Sequence, residues 1–186
     1  TEITELELRK WVIFDGPLKM RTRAESIEGQ PHHFRVALDL WWEAPRQEMS
    51  RFDEVASATI RVSDAYDAAP EALGPIIDAR PCEDPYESAR LFHGPAFQVV
   101  ASAIRGSNGA SAVLDTARSG VPVGALNPAL LDGALQSIPH DQIEQWWPGA
   151  GDDSIAYPHS VEKITAHSIT PHAGNLRAEV RFLGGE

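Results

Sequence analysis

The sequence predicts an α+β fold, an antiparallel curved sheet wrapped around one central helix. Three observations carry that expectation. Residues 127–139 form one apolar helical stretch opened by a helix-start signal. Several shorter segments alternate apolar and polar residues with the period of two that a half-buried strand requires. Residues 65–85 hold four prolines and one glycine, a linker composition that parts the chain into two halves, 1–75 and 76–186.

Taken in order, residues 6–23 read as a short strand, a turn at Asp15-Gly16-Pro17 and a return. Segments 21–28 and 32–43 read as strands joined near Gly29-Gln30-Pro31. In the second of them Phe34, Val36, Leu38 and Leu40 alternate with Arg35, Ala37 and Asp39. The alternation resumes over 54–64. Nothing before residue 70 keeps a helical period for more than two turns. Beyond the linker, a helical turn starts at Asp84. Strands at 96–105 and 110–118 are joined by Gly106-Ser107-Asn108-Gly109, a hairpin-type turn. After the central helix comes a polar loop with Trp146-Trp147-Pro148 and Gly151-Asp152-Asp153, and strands at 160–168 and 176–183 close the series. Of each tryptophan pair, Trp41-Trp42 and Trp146-Trp147, one ring is expected in the core and the other at a rim.

The central helix is the informative element. Asn127 is a good N-cap, and Pro128 falls at the first helical position, where its missing N–H costs nothing. Ala129, Leu130, Leu131, Ala134 and Leu135 make the segment apolar on most sides. Asp132 and Gln136, four apart, share one face of it. Gly133 costs about 1 kcal/mol against alanine, so something is expected to pack close to the backbone there. Periodicity alone leaves open whether the acid and the amide face solvent.

Composition narrows the function classes. The 186 residues are 42% apolar and 23% charged, as in an ordinary globular protein with room for a real core. No run approaches the roughly 18 apolar residues of a membrane helix. No signal-peptide pattern opens the chain, and the single Cys82 excludes an internal disulfide; a cytoplasmic setting is expected. A net charge of −11 argues against nucleic-acid binding, which needs a basic surface. There is no G-x-S-x-G elbow, phosphate-cradling glycine loop or dinucleotide fingerprint.

A second stretch gives the helix its context. LFHGPAFQVV at 91–100, followed about thirty residues on by NPALLDGALQ at 127–136, resembles the polyketide synthase dehydratase family, with its YGPxF motif and then its (H)PxLLDxxxQ/H motif. Here His93 stands where the family has Tyr, before Gly94, Pro95 and Phe97, and Asn127 replaces the usual His before Pro128. The resemblance implies a double hot-dog fold whose first repeat lacks its helix in this sequence. It implies removal of water from a β-hydroxyacyl thioester, without a cofactor or metal, to give an enoyl thioester. The substrate arm would be the phosphopantetheine of an acyl carrier protein, within a polyketide or polyunsaturated fatty acid synthase alongside other synthase domains. Homodimers are common in the family. Arg105, Arg118 and Lys163 are candidates for a basic patch that meets the carrier protein.

Eliminating water needs a base for the Cα proton and an acid for the departing hydroxyl. The resemblance gives the acid role to Asp132, with Gln136 orienting it, and makes His93, Gly94, Pro95, Phe97 and Leu131 substrate-binding. A carboxyl at the bottom of an apolar tunnel is expected to have a raised pKa, burial outweighing the helix N-terminus. The family's base is the histidine of HxxxGxxxxP. None of His32, His33, His93, His140, His159, His167 and His172 has glycine four residues on. The simplest expectation is that this motif lies upstream of Thr1. His93 reads first as a packing and hydrogen-bonding residue at a Gly-Pro bend rather than as a replacement base, and no histidine spacing suggests a metal site. Two other readings stay open: a degenerate dehydratase-like or product-template-like scaffold, and a hot-dog domain that moves double bonds.

Overall fold

The structure, a computed structural model, describes all residues except 14–15, 88–90, 92, 125, 141, 151–157, 172 and 185–186. The chain folds as two units, Thr1–Ala69 with Pro158–Ser168, and Pro70–Tyr157 with Ile169–Glu186.

The first unit is a five-stranded antiparallel sheet of order β2-β3-β4-β1-β8, with β1 at Glu2–Leu8, β2 at Met20–Ser26, β3 at His33–Trp42, β4 at Arg51–Arg61 and β8 at Ser160–Thr165. β2 and β3 form the expected hairpin, from Met20↔Leu40 to Ser26↔Phe34; its loop turns through the left-handed region at Gly29 (φ 74°) and His32 (φ 63°). β3 and β4 pair from His33↔Arg61 to Trp42↔Arg51, with a register shift between Leu38 and Asp39 that leaves Val55 as the extra residue. On one face Ala37, Asp39, Val55 and Ser57 are buried. Arg21 and Arg23, projecting from β2, reach the Asp39 carboxylate at 2.7 and 2.8 Å. Charged side chains of this kind suit β2 to the sheet edge, where they discourage further pairing. Trp41 packs edge-on against Phe52, and Trp42 is 43% exposed. Among the described residues before 70 there is no α-helix, only a 3₁₀ turn at Gln47–Met49.

Two expectations fail here, for one reason. Residues 6–23 do not form a strand and its return: β1 pairs with β4 and β8, never with β2, and the turn residue Asp15 lies outside the described residues. The strand expected at 160–168 in the second half is β8, and it pairs with β1. The first unit therefore ends at Ala69 rather than 75 and regains a segment late in the chain. Alternation marks a strand but not which strand lies alongside, nor in β3 the more buried face, which carries Ala37 and Asp39 rather than Val36 and Leu38. Ile3 faces Ile60 on one side and Ile164 on the other, apolar cross-strand neighbours that local pattern cannot anticipate. A bulge between Thr4 and Glu7, with Glu5 at φ 52°, re-aims β1 midway.

The second unit is a four-stranded antiparallel sheet of order β5-β6-β7-β9 with one helix, α1, at Pro128–Leu135. Its strands are β5 at Arg80–Pro81, β6 at Val100–Gly106, β7 at Gly109–Asp115 and β9 at Asn175–Arg181. β6 and β7 meet through the two-residue loop Ser107-Asn108, as their glycine-flanked turn predicts. The expected strand ends at 96–99 and 116–118 instead contain 3₁₀ turns, Pro95–Phe97 and Thr116–Arg118. Val99, Val100, Ala112, Leu114, Ala129 and Leu130 form the core between sheet and helix. Each large aliphatic among them contributes about 1.5–3 kcal/mol by leaving water. Trp146 is buried, donates to the Gly106 carbonyl at 2.9 Å and stacks on Phe182, while Trp147 stays 39% exposed.

Helix α1 is shorter than the expected 127–139. Ser137 N–H and Ile138 N–H bond back to Ala134 and Leu135, which tightens the last turn, and Pro139 cannot extend it. Asn127 caps it as read, accepting from Ala129 N–H at 3.1 Å and Leu130 N–H at 3.3 Å. Gly133 faces the sheet. A Cβ there would lie 2.4 Å from Val99 Cγ2, so the glycine is required by the closeness of helix to core.

Candidate active site

Helix α1 sets Asp132 and Gln136 one turn apart, and the structure joins them: Gln136 Nε2 donates to Asp132 Oδ2 at 2.6 Å. The same amide nitrogen donates to the Phe97 carbonyl at 2.9 Å, which ties the helix to the Gly94–Phe97 bend. Gln136 is 5% exposed, so its amide needs partners on both ends. Its oxygen accepts a 2.5 Å bond from the Tyr86 hydroxyl, and that hydroxyl accepts from Val100 N–H at 3.0 Å. Backbone, phenol, amide and carboxylate thus form one directed chain of donors ending on Asp132. Burial pushes the Tyr86 phenol up, which keeps it a donor at neutral pH.

The bend itself is built by Gly94 and Pro95. Gly94 precedes a 3₁₀ turn that starts at Pro95 and ends at Phe97, and the Gln98 side chain donates back to the His93 carbonyl at 2.9 Å. This places His93 Nε2 3.3 Å from Asp132 Oδ2. His140 sits at the far end of the helix, its Nε2 2.8 Å from the Leu135 carbonyl.

The expected raised pKa of Asp132 is overturned. Burial is the largest single influence and does push the carboxyl up. Hydrogen bonds from His93 and Gln136, with the charges of His93 and His140, together outweigh it and hold the group below its ordinary value. The deep enclosure expected is also absent: the Asp132 side chain is 32% exposed and that of His93 17%. The carboxyl lies on the flank of α1, not on the Gly133 face pressed into the core.

The structure brings together Asp132, Gln136, His93 and the Phe97 carbonyl through Gly94 and Pro95. Leu131, expected to bind substrate, is 40% exposed and makes no part of this network. The Phe97 ring packs against the core, and only its carbonyl serves the site. Tyr86 carries no motif; its one local signal is the Asp84 turn, whose carboxylate accepts from Tyr86 N–H at 2.8 Å. Of the basic-patch candidates, Arg118 pairs with Asp115 and Lys163 with Glu2, so neither is a free cation. Among the described residues no group of three or more His, Cys, Asp or Glu side chains could hold a metal ion, and no helix is long and apolar enough to cross a membrane.

A helix that backs onto an antiparallel sheet, with an acid–amide pair on its flank, is the arrangement of a hot-dog domain. Residues 55–183 match the family described as the polyketide synthase dehydratase N-terminal domain. The chain belongs to the polyketide synthase dehydratase family. Solved structures agree on the fold. The erythromycin dehydratase is 18% identical with a TM-score of 0.63, over 98% of this chain and 65% of that one. The dehydratase domain of RzxB from Pseudomonas fluorescens is 16% identical with a TM-score of 0.64, over 100% and 65%. An inactive variant of the CurK dehydratase, with one aspartate replaced by asparagine, is 15% identical with a TM-score of 0.66, over 97% and 65%. The chain thus spans about 65% of the length of the solved dehydratases it matches. No curated protein sequence matches it.

Proposed function

We propose that this chain carries the acid side of a dehydratase centre, which takes a β-hydroxyacyl thioester on the phosphopantetheine arm of an acyl carrier protein to the enoyl thioester and water. The observation that supports it is the bond between Gln136 and Asp132, anchored through Tyr86 and the Phe97 carbonyl. Such a chain fixes one carboxylate oxygen and leaves the other for substrate, the preorganisation an acid needs. In the resting site Asp132 is an anion, held so by His93 and Gln136. An acyl chain laid across it would remove the remaining water, and burial would then gain on the hydrogen bonds and favour the protonated form. Asp132 would give that proton to the β-hydroxyl as the C–O bond breaks, while a base takes the Cα proton. The sequence has no HxxxGxxxxP motif, so this reading assigns none of the 186 residues to the base.

The test offers a short β-hydroxyacyl thioester mimic to the 186-residue polypeptide and to a complete dehydratase domain containing it. Little or no enoyl product is expected from the first. In the second, Asp132→Asn should lower turnover by about 100-fold or more, the scale of a lost general acid. Turnover unchanged by Asp132→Asn would refute the assignment. A second reading, a hot-dog domain that binds without reacting, draws support from one feature: His93 stands where the family has tyrosine and holds Asp132 charged. A complete domain that binds the thioester without forming enoyl product would favour it.

A further inference from the structure

A cavity of about 430 Å³ opens in the second unit beside β5 and β6; Arg80 and Arg105 both line it, and Asp132 does not. These two arginines are direct cross-strand partners, so they share one face of the sheet. Like charges placed directly opposite destabilise a strand pair, and a design for stability alone would put an acid at one of the two positions. Asp78 and Glu83 also line the cavity. The Arg105 Nε is buried without an acceptor. Leaving a charged donor buried and unsatisfied is costly, which makes a missing acceptor the economical account of Arg105; Arg80, exposed beside it on the same face, can turn to the same ligand.

We propose that Arg80 and Arg105 form a binding site for a phosphate group. Two guanidiniums on one face supply a double positive charge and several N–H donors, which match a phosphate's oxygens better than those of a single carboxylate. The remaining walls include Ser107 and Gln145, polar side chains suited to a ligand that continues beyond its phosphate, with Leu91 and Ile138 as apolar cover. The volume exceeds what inorganic phosphate needs, so the phosphate can belong to a small ester. Gln136 lines the same cavity and also bonds to Asp132, so occupancy here borders the candidate active site through one shared side chain. The site stands on the arginine pair and the cavity, and it holds whether or not the domain dehydrates anything.

Thermal melting of the 186-residue chain tests it, with inorganic phosphate, phosphopantetheine and phosphate-free pantetheine as separate ligands and sodium chloride at matched ionic strength as control. Ligand at about 100 times its dissociation constant should raise the melting temperature by several degrees. The expected result is a rise with both phosphate-bearing compounds, none with pantetheine or chloride, and loss of the rise in Arg80→Gln and Arg105→Gln. A larger rise with phosphopantetheine than with phosphate assigns the site to a pantetheine arm, and equal rises assign it to free phosphate. The variants should fold, since each removes a like-charge repulsion, and without ligand they should melt no lower than the parent. Isothermal titration of phosphate gives a second readout, with at least a tenfold affinity loss expected in each variant. A rise that chloride reproduces, or one that survives both substitutions, overturns the proposal. Asp132→Asn should leave the phosphate response intact, which keeps this result separate from that of the dehydratase assay.

Discussion

Two carboxylates, one in each unit, are both held below their ordinary pKa, and they could hardly be used more differently. Asp39 in the first unit is 1% exposed and lies under Arg21 and Arg23; their hydrogen bonds lower its pKa to about 2. Its partners stay charged at every working pH, so the arrangement has one state. Asp132 in the second unit is held by a histidine and a neutral amide and keeps a third of its side chain in water. A partly open carboxyl can be covered by a ligand, and the added burial then works against its charge. A carboxylate closed under permanent charges is a fixture, whereas one left partly open can still be reached.

The comparison breaks most readily at the fixture. Asp39→Ala leaves two guanidiniums over a buried gap, and of the substitutions considered it should lower the melting temperature most, without changing any thioester chemistry. Acid should do the same more gently. The Asp39 pKa is depressed in the fold, so its contribution is complete above about pH 4, the unfolded value, and fades as pH falls toward 2. Asp132 is lowered too, so its contribution has the same sign and is also lost below about pH 4. Melting curves of Asp39→Asn and the parent between pH 2 and 6 should converge at the acid end.

Gly133→Ala comes next, at about 1–3 kcal/mol of lost stability in denaturant melts, because its Cβ would overlap Val99 by more than helix propensity can return. Tyr86→Phe sharpens the contrast from the other side. It strands Val100 N–H and the Gln136 oxygen, at about 1–3 kcal/mol, and should reduce turnover of a complete domain because Gln136 loses its anchor. Asn127→Ala should cost about 1 kcal/mol, the ordinary loss of an N-cap, with little effect on chemistry.

What the sequence could reveal divides along the range of the interactions involved. Helix α1, its cap, the close approach at Gly133 and the Ser107-Asn108 hairpin follow from residues within a few positions of one another, and each stands in the structure. The Asp132–Gln136 contact is one helical turn and was equally legible. The Asp132 pKa was not, because its deciding partner, His93, lies 39 positions away and reaches it only through the Gly94-Pro95 bend. Tyr86, fifty positions from Gln136, was invisible for the same reason. Strand existence could be read from alternation, but the assignment of β8 to the first sheet could not, since its partner β1 stands at the other end of the numbering.

That last pairing has a temporal side. Thr165 and Glu2, which share a hydrogen bond across β8 and β1, are 163 residues apart. A ribosome adding 5–20 residues each second needs roughly 8–30 s to supply Thr165 after Glu2. Until then β1 has an open flank bearing Ile3 and Leu6, and the nascent first sheet waits, four strands wide, for its fifth.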